Sequence, residues 1–201
     1  SMVMQQMSGL QTDYYRDYNC DPIDVNTNGR WTAMYGTGGL IDMNMTQKVA
    51  KDQEKYVLLG MSQMWEALIF STAADIWGDI PYSQAANSNF AEPKFDSQKE
   101  VHDSILGLID SAIANLDKGQ VYTMPTDFDF SFNADIERWK KAAYTLKGRI
   151  YLNWAEVDNE NYVKALESAE KGIMDQSGMG DWKALHGAAI SERNVWFQFF
   201  L

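Results

Sequence analysis

Acid–base and metal chemistry require ionisable side chains at matched spacings, and this chain offers few. Its two histidines, His102 and His186, stand without a second histidine or a cysteine at the intervals that hold zinc. His102 falls in the first turn of an amphipathic segment, on the polar side, and is predicted to be solvated surface. Asp75 and Asp79 are four residues apart, as a working carboxylate pair on a helix could be, but Gly78 interrupts the helix between them. Both are predicted to serve caps and turns. The string DVNTNG repeats the first half of a calcium loop, with Asp24, Asn26 and Asn28 at positions one, three and five and Gly29 at six. Position twelve is Tyr35 where such a loop needs a bidentate glutamate, so an Asn-Gly turn is the preferred reading. Phosphate-cradling glycine loops, dinucleotide fingerprints and nucleophile elbows are all missing from the sequence. No catalytic residue, resident metal or cofactor is predicted.

What remains is aromatic, with 7 Trp, 10 Tyr and 9 Phe. Trp31, Trp65, Trp139 and Trp154 sit on helical stripes and are assigned to the core. Trp182 and Trp196 lie outside periodic runs, near Gly180 and Asn194, and are the candidate ligand-binding residues. Two readings stay open for them: platforms facing solvent, or side chains that pack beneath further sequence.

The elements that position these groups are helical. From Tyr56 to Trp77 apolar residues fall on every side of a 3.6-residue wheel, as in a helix enclosed by others, and Glu66 and Asp75 interrupt the run well before a bilayer span. Gly78 and Pro81 then stop it in a rigid turn. Val3, Met7, Leu10 and Tyr14 mark a helix within residues 2–18, and residues 19–30 have turn chemistry and are predicted to be a loop. Trp31, Met34 and Tyr35 share a face before the glycines at 36, 38 and 39 loosen the next helix. Ser97 and Glu100 form a capping box that starts a helix with a Val101, Ile105, Leu108, Ala112, Leu116 stripe, ending before Gly119. Phe128, Phe130 and Phe132 are predicted to plug the space between helix ends. Residues 138–157 give a stripe of Trp139, Ala143, Leu146, Ile150, Trp154 and Val157, and residues 161–173 repeat it with Tyr162, Ala165, Leu166, Ala169 and Ile173.

Hydrophobic content of 45% in 201 residues supports one folded domain. A net charge of −11 repels phosphate backbones, so nucleic acid is not an expected partner. Cys20 has no second cysteine to pair with, and YYRDYN before it lacks the basic and apolar leader of a lipid attachment site. Ser1 ahead of Met2 reads as an expression remnant, and the terminal NVWFQFFL as a cut in a longer chain.

Five strings together carry a family resemblance. An apolar helix ends in DIWGDIPYSQA and is followed by PKFDSQKEV; WTAMY enters a helix upstream; RWKKAAYTLKGR and NYVKALESAEKGI follow downstream. In these the chain resembles the SusD/RagB family of Bacteroidetes outer-membrane nutrient-binding lipoproteins. LKGRIYL with YVKALESAEKGI is also similar to a tetratricopeptide helix pair, although the first helix is longer than half of a repeat of about 34 residues. The resemblance implies an all-α fold of tetratricopeptide-like helix pairs with long loops, forming a single helical domain over 1–201 that is the N-terminal portion of a longer protein. It implies a non-enzymatic component of polysaccharide uptake, lipid-anchored on the extracellular face of the outer membrane. Such a component binds oligosaccharide or polysaccharide and delivers it to a SusC-like TonB-dependent transporter, with Trp182 and Trp196 as candidate sugar platforms. The alternative is a tetratricopeptide-type protein–protein adaptor. If Val195, Trp196, Phe197, Phe199, Phe200 and Leu201 normally lie beneath later sequence, this chain is expected to self-associate through them and to bind glycan weakly or not at all, even where the full protein binds well.

Overall fold

The computed structural model describes residues 25–36, 38–119 and 129–186, with backbone alone for 25–28. Helix 2–18, Cys20, Asp24, Phe128, Trp196 and the rest of the C-terminal aromatic cluster lie outside the described residues. Six helices run in order: α1 Val25–Tyr35, α2 Leu40–Asp52, α3 Tyr56–Trp77, α4 Gln98–Asp117, α5 Ile136–Asn153 and α6 Glu160–Glu170. The fold is all-α, and among the described residues extended pairing is confined to one antiparallel bridge between Ile80 and Asp96.

Each helix packs on the next in the chain. The start of α3 meets the end of α4 at Gly60, where an added Cβ would lie 2.8 Å from Leu116 Cγ and 2.9 Å from the Ala112 carbonyl oxygen, so only glycine allows this approach. On α5, Gly148 packs less tightly on α6, where an added Cβ would lie 3.3 Å from the Ala165 carbonyl oxygen and 3.5 Å from Ser168 Cβ. The central helix is α3, which contacts α2, α4 and α5. Val57, Met64, Ala67, Phe70 and Ala74 on it are fully buried, each large side chain contributing about 1.5–3 kcal/mol by leaving water. Ile76 is exposed because its neighbours run out at the helix end. Gly78 follows at φ 76°, a conformation that side chains resist, and its N–H caps the Ala74 carbonyl.

Most element boundaries agree with the sequence reading, including the reciprocal Ser97–Glu100 box on α4. The loop expected over residues 19–30 is instead helix from Val25 onward. That helix takes in positions two to twelve of the half calcium loop, so Asn26 and Asn28 lie on helical backbone. Neither the sharp turn that a calcium loop needs nor the Asn-Gly turn is formed there. The α6 stripe also differs: Ala165 and Ser168 are buried, whereas Leu166 is 61% and Val163 60% exposed. Among the described residues α6 has a single close neighbour, α5, which covers only its small-residue strip. Val157 lies past the end of α5 and is 76% exposed.

Candidate functional site

The apolar surroundings of α3 make Glu66 the anomaly of the core. It is 7% exposed, and a buried carboxylate is tolerated only when its oxygens are paired. Gln47 Nε2 of α2 donates to Oε2 at 2.6 Å and the Tyr82 hydroxyl donates to Oε1 at 2.7 Å. Burial, followed by the charge and hydrogen bond of Glu66, pushes the Tyr82 hydroxyl far above its ordinary range, so it remains a donor.

Tyr82 is set in place by the DIPYS turn. Ile80 and Asp96 exchange backbone hydrogen bonds of 3.1 and 3.0 Å. The Asp96 carboxylate then accepts from Tyr82 N at 3.1 Å, Ser83 N at 2.6 Å and Ser83 Oγ at 2.8 Å, with Lys94 Nζ at 2.8 Å. Burial alone would raise this carboxyl, but the hydrogen bonds from Lys94, Ser83 and Tyr82 outweigh it and hold the group down at about 2. Tyr35 donates its hydroxyl to the Pro81 carbonyl at 2.7 Å, and Asp79 accepts from Gln98 N at the start of α4. An edge-to-face series Trp77, Trp31, Tyr35, Phe70 continues to a tilted contact with Tyr82. The WGDIPYS string is therefore a structural clamp whose outer surface presents Tyr82 and Ser83.

That surface forms one wall of a cleft of about 650 Å³, lined also by Leu40, Asn44 and Lys48 of α2, Glu66 of α3, and Ala85–Ser88 of the following loop. It converges amides, hydroxyls, one carboxylate and one ammonium, with Tyr82 as its aromatic member. The only signal in the sequence was Glu66 itself, an acid amid an apolar run. A second cleft of about 860 Å³ shares Lys48 with it.

The sequence candidates are placed elsewhere. Trp182 is half-buried, its ring edge-to-face with Trp65 at 5.1 Å and with Trp139 at 5.2 Å, and its buried Nε1 has no hydrogen-bond partner among the described residues. It is not in the Glu66 cleft. Trp139 is fully buried, Trp31 and Trp65 are half-buried against the core, Trp154 is half-buried against His102, and Asp129 accepts from Trp139 Nε1 at 2.7 Å. Phe132 plugs the core against Trp139 as expected, whereas Phe130 is exposed.

His102 corrects the sequence reading most clearly. It is 2% exposed, not solvated. Trp154 Nε1 donates to its Nδ1, so Nε2 carries the proton and faces Ser71 O at 3.3 Å and Asp75 Oδ1 at 3.2 Å. Asn153 also donates to Asp75, at 3.1 Å. This joins α3, α4 and the end of α5, which explains why a polar residue is tolerated there. His186 is exposed. Among the described residues no group of three or more His, Cys, Asp and Glu side chains could hold a metal, and no helix is long and apolar enough to cross a membrane.

Solved structures share this architecture. A SusD/RagB family protein from Bacteroides thetaiotaomicron matches at 27% identity and TM-score 0.72, covering 84% of this chain and 36% of that one. A SusD-like protein from the same organism matches at 24% and TM-score 0.60, covering 76% and 31%. A chitin-binding protein matches at 21% and TM-score 0.71, covering 89% and 38%. This chain thus spans about a third of the length of these solved relatives. No curated protein matches it. With residues 1–198 matching the SusD-like family described as starch-binding and associating with the outer membrane, the chain belongs to that family.

Proposed function

We propose that this chain is the N-terminal helical portion of a non-enzymatic glycan-capture protein. That protein is lipid-anchored at the extracellular face of the outer membrane and delivers oligosaccharide to a SusC-like TonB-dependent transporter. The observation that carries the reading is the family match over residues 1–198. One structural neighbour is a chitin-binding protein, which is in keeping with a saccharide ligand. Within the chain we assign sugar contact to the Glu66–Tyr82 cleft, because a ligand rich in hydroxyls needs convergent donors and acceptors held on rigid elements. Trp182 offers a sugar only the part of its ring left open by Trp65 and Trp139, and ranks second.

A glycan array on the intact protein, followed by calorimetry, tests this reading. The expected result is binding of at least one oligosaccharide, weakened by Asn44→Ala, an exposed cleft residue, and less affected by Trp182→Ala. Absence of any glycan binding by the intact protein would refute it. The adaptor alternative draws on the open face of α6, with Val163 and Leu166 exposed. A tight peptide partner recovered without sugar binding would favour that alternative.

A further inference from the structure

The second cleft is bounded by the end of α2, the first turn of α3 and the last turns of α4. In a chain of net charge −11, three lysines converge on it: Lys48, Lys51 and Lys118. Lys118 Nζ is held 4.1 Å above the Tyr56 ring and 3.1 Å from Asn115 Oδ1, which fixes its ammonium at the cleft. Among the described residues Lys48 and Lys51 form no ion pair or hydrogen bond through their side chains. Asp52 and Glu54 also line the cleft, yet neither pairs with these lysines, so three ammoniums face two carboxylates.

Two further features favour a negative guest. The first turn of α3 has no side-chain cap and no acidic residue, so the positive end of this 22-residue helix lies beside Tyr56 with Glu54, ahead of the N-cap, as the nearby carboxylate. Independently, Gln63 is 9% exposed and lines the cleft. Its Oε1 accepts from Asn115 Nδ2 at 2.9 Å, while its Nε2 has no partner among the described residues. Gln63 therefore offers the cleft an amide donor beside the two ammoniums, of Lys48 and Lys51, that the chain leaves uncommitted.

We propose that this cleft binds the carboxylate of an acidic saccharide, with Lys51 and Lys118 supplying opposite charge and Gln63 Nε2 a directed hydrogen bond. The inference rests on the glycan-capture reading and specifies its ligand class. Because Lys48 lines both clefts, a chain of several sugars could set an acidic unit here while a neighbouring unit occupies the Glu66 cleft.

The test titrates the full chain by NMR with trigalacturonate, its uncharged methyl ester, and maltotriose, each to millimolar concentration. Trigalacturonate is expected to bind more tightly than its ester, with the difference shrinking in high salt. The double variant Lys51→Gln, Lys118→Gln, at two exposed positions, should lower trigalacturonate affinity about three- to tenfold and leave maltotriose unaffected. Equal affinity for acid and ester, or an unchanged preference in the variant, overturns the inference. Maltotriose binding without trigalacturonate binding, or binding of neither, overturns the inference, while the glycan reading is decided separately by the array on the intact protein.

Discussion

Asp96 is the residue whose loss should most damage the WGDIPYS clamp. Replacing it with alanine strips acceptors from Tyr82 N, Ser83 N and Ser83 Oγ and frees Lys94. Two backbone donors left unmet in a tight turn cost about 1–3 kcal/mol each, and the expected loss is about 3–5 kcal/mol in all. For a chain of this size that lowers the melting temperature by about 10 °C. Asp96→Asn keeps one acceptor but turns an amide N–H2 toward donors, and should cost about 2 kcal/mol. The pH dependence follows from the folded carboxyl titrating at about 2 against an ordinary 3.8. Because the folded value is the lower one, the charge contributes its stability above pH 3.8, and that contribution is lost as pH falls through about 2. Its size is about 2 kcal/mol. Urea unfolding followed by circular dichroism at pH 7, and again in steps from pH 5 to 2, measures both quantities. The stability difference between wild type and Asp96→Asn should shrink as the pH falls from about 4 to 2. An alanine variant within about 1 kcal/mol of wild type, or a difference constant across that window, would refute the clamp argument.

Three further outcomes are expected. Tyr82→Phe leaves Glu66 Oε1 without its donor and should cost about 1–2 kcal/mol in thermal unfolding, together with weaker sugar binding by calorimetry. Gly60→Ala drives a methyl into Leu116 and the Ala112 carbonyl and should cost about 1–3 kcal/mol, whereas Gly107→Ala, on exposed α4 surface with nothing within 4 Å, should gain up to about 1 kcal/mol; paired denaturant curves would show opposite signs. His102→Leu removes the acceptor of Trp154 Nε1 and should destabilise by about 2–4 kcal/mol, with a change in tryptophan fluorescence; a surface histidine would give nearly zero.

Local rules act within a few residues, and where they sufficed the sequence was legible. The 22 residues of α3, its stop at Gly78 and the Ser97–Glu100 box depend on periodicity, backbone freedom and a reciprocal hydrogen bond three residues long, and each stands as read. The strings that carried the family resemblance proved to be mainly scaffold, since WGDIPYS and PKFDS are the two halves of the Asp96 clamp. Turn composition misled at Val25–Arg30, where Asn and Gly are accommodated in helix α1. What a polar residue does in the interior depends on partners distant in the chain. His102 is buried because Trp154, 52 residues on, supplies a hydrogen bond, and Glu66 because Gln47 and Tyr82 arrive from both sides. Burial of α6 was likewise settled by which neighbours exist, since one flanking helix covers one strip. Periodicity states which residues share a face; only the tertiary arrangement decides whether that face meets a helix, a cleft or water. Both clefts arise between elements that no local pattern relates.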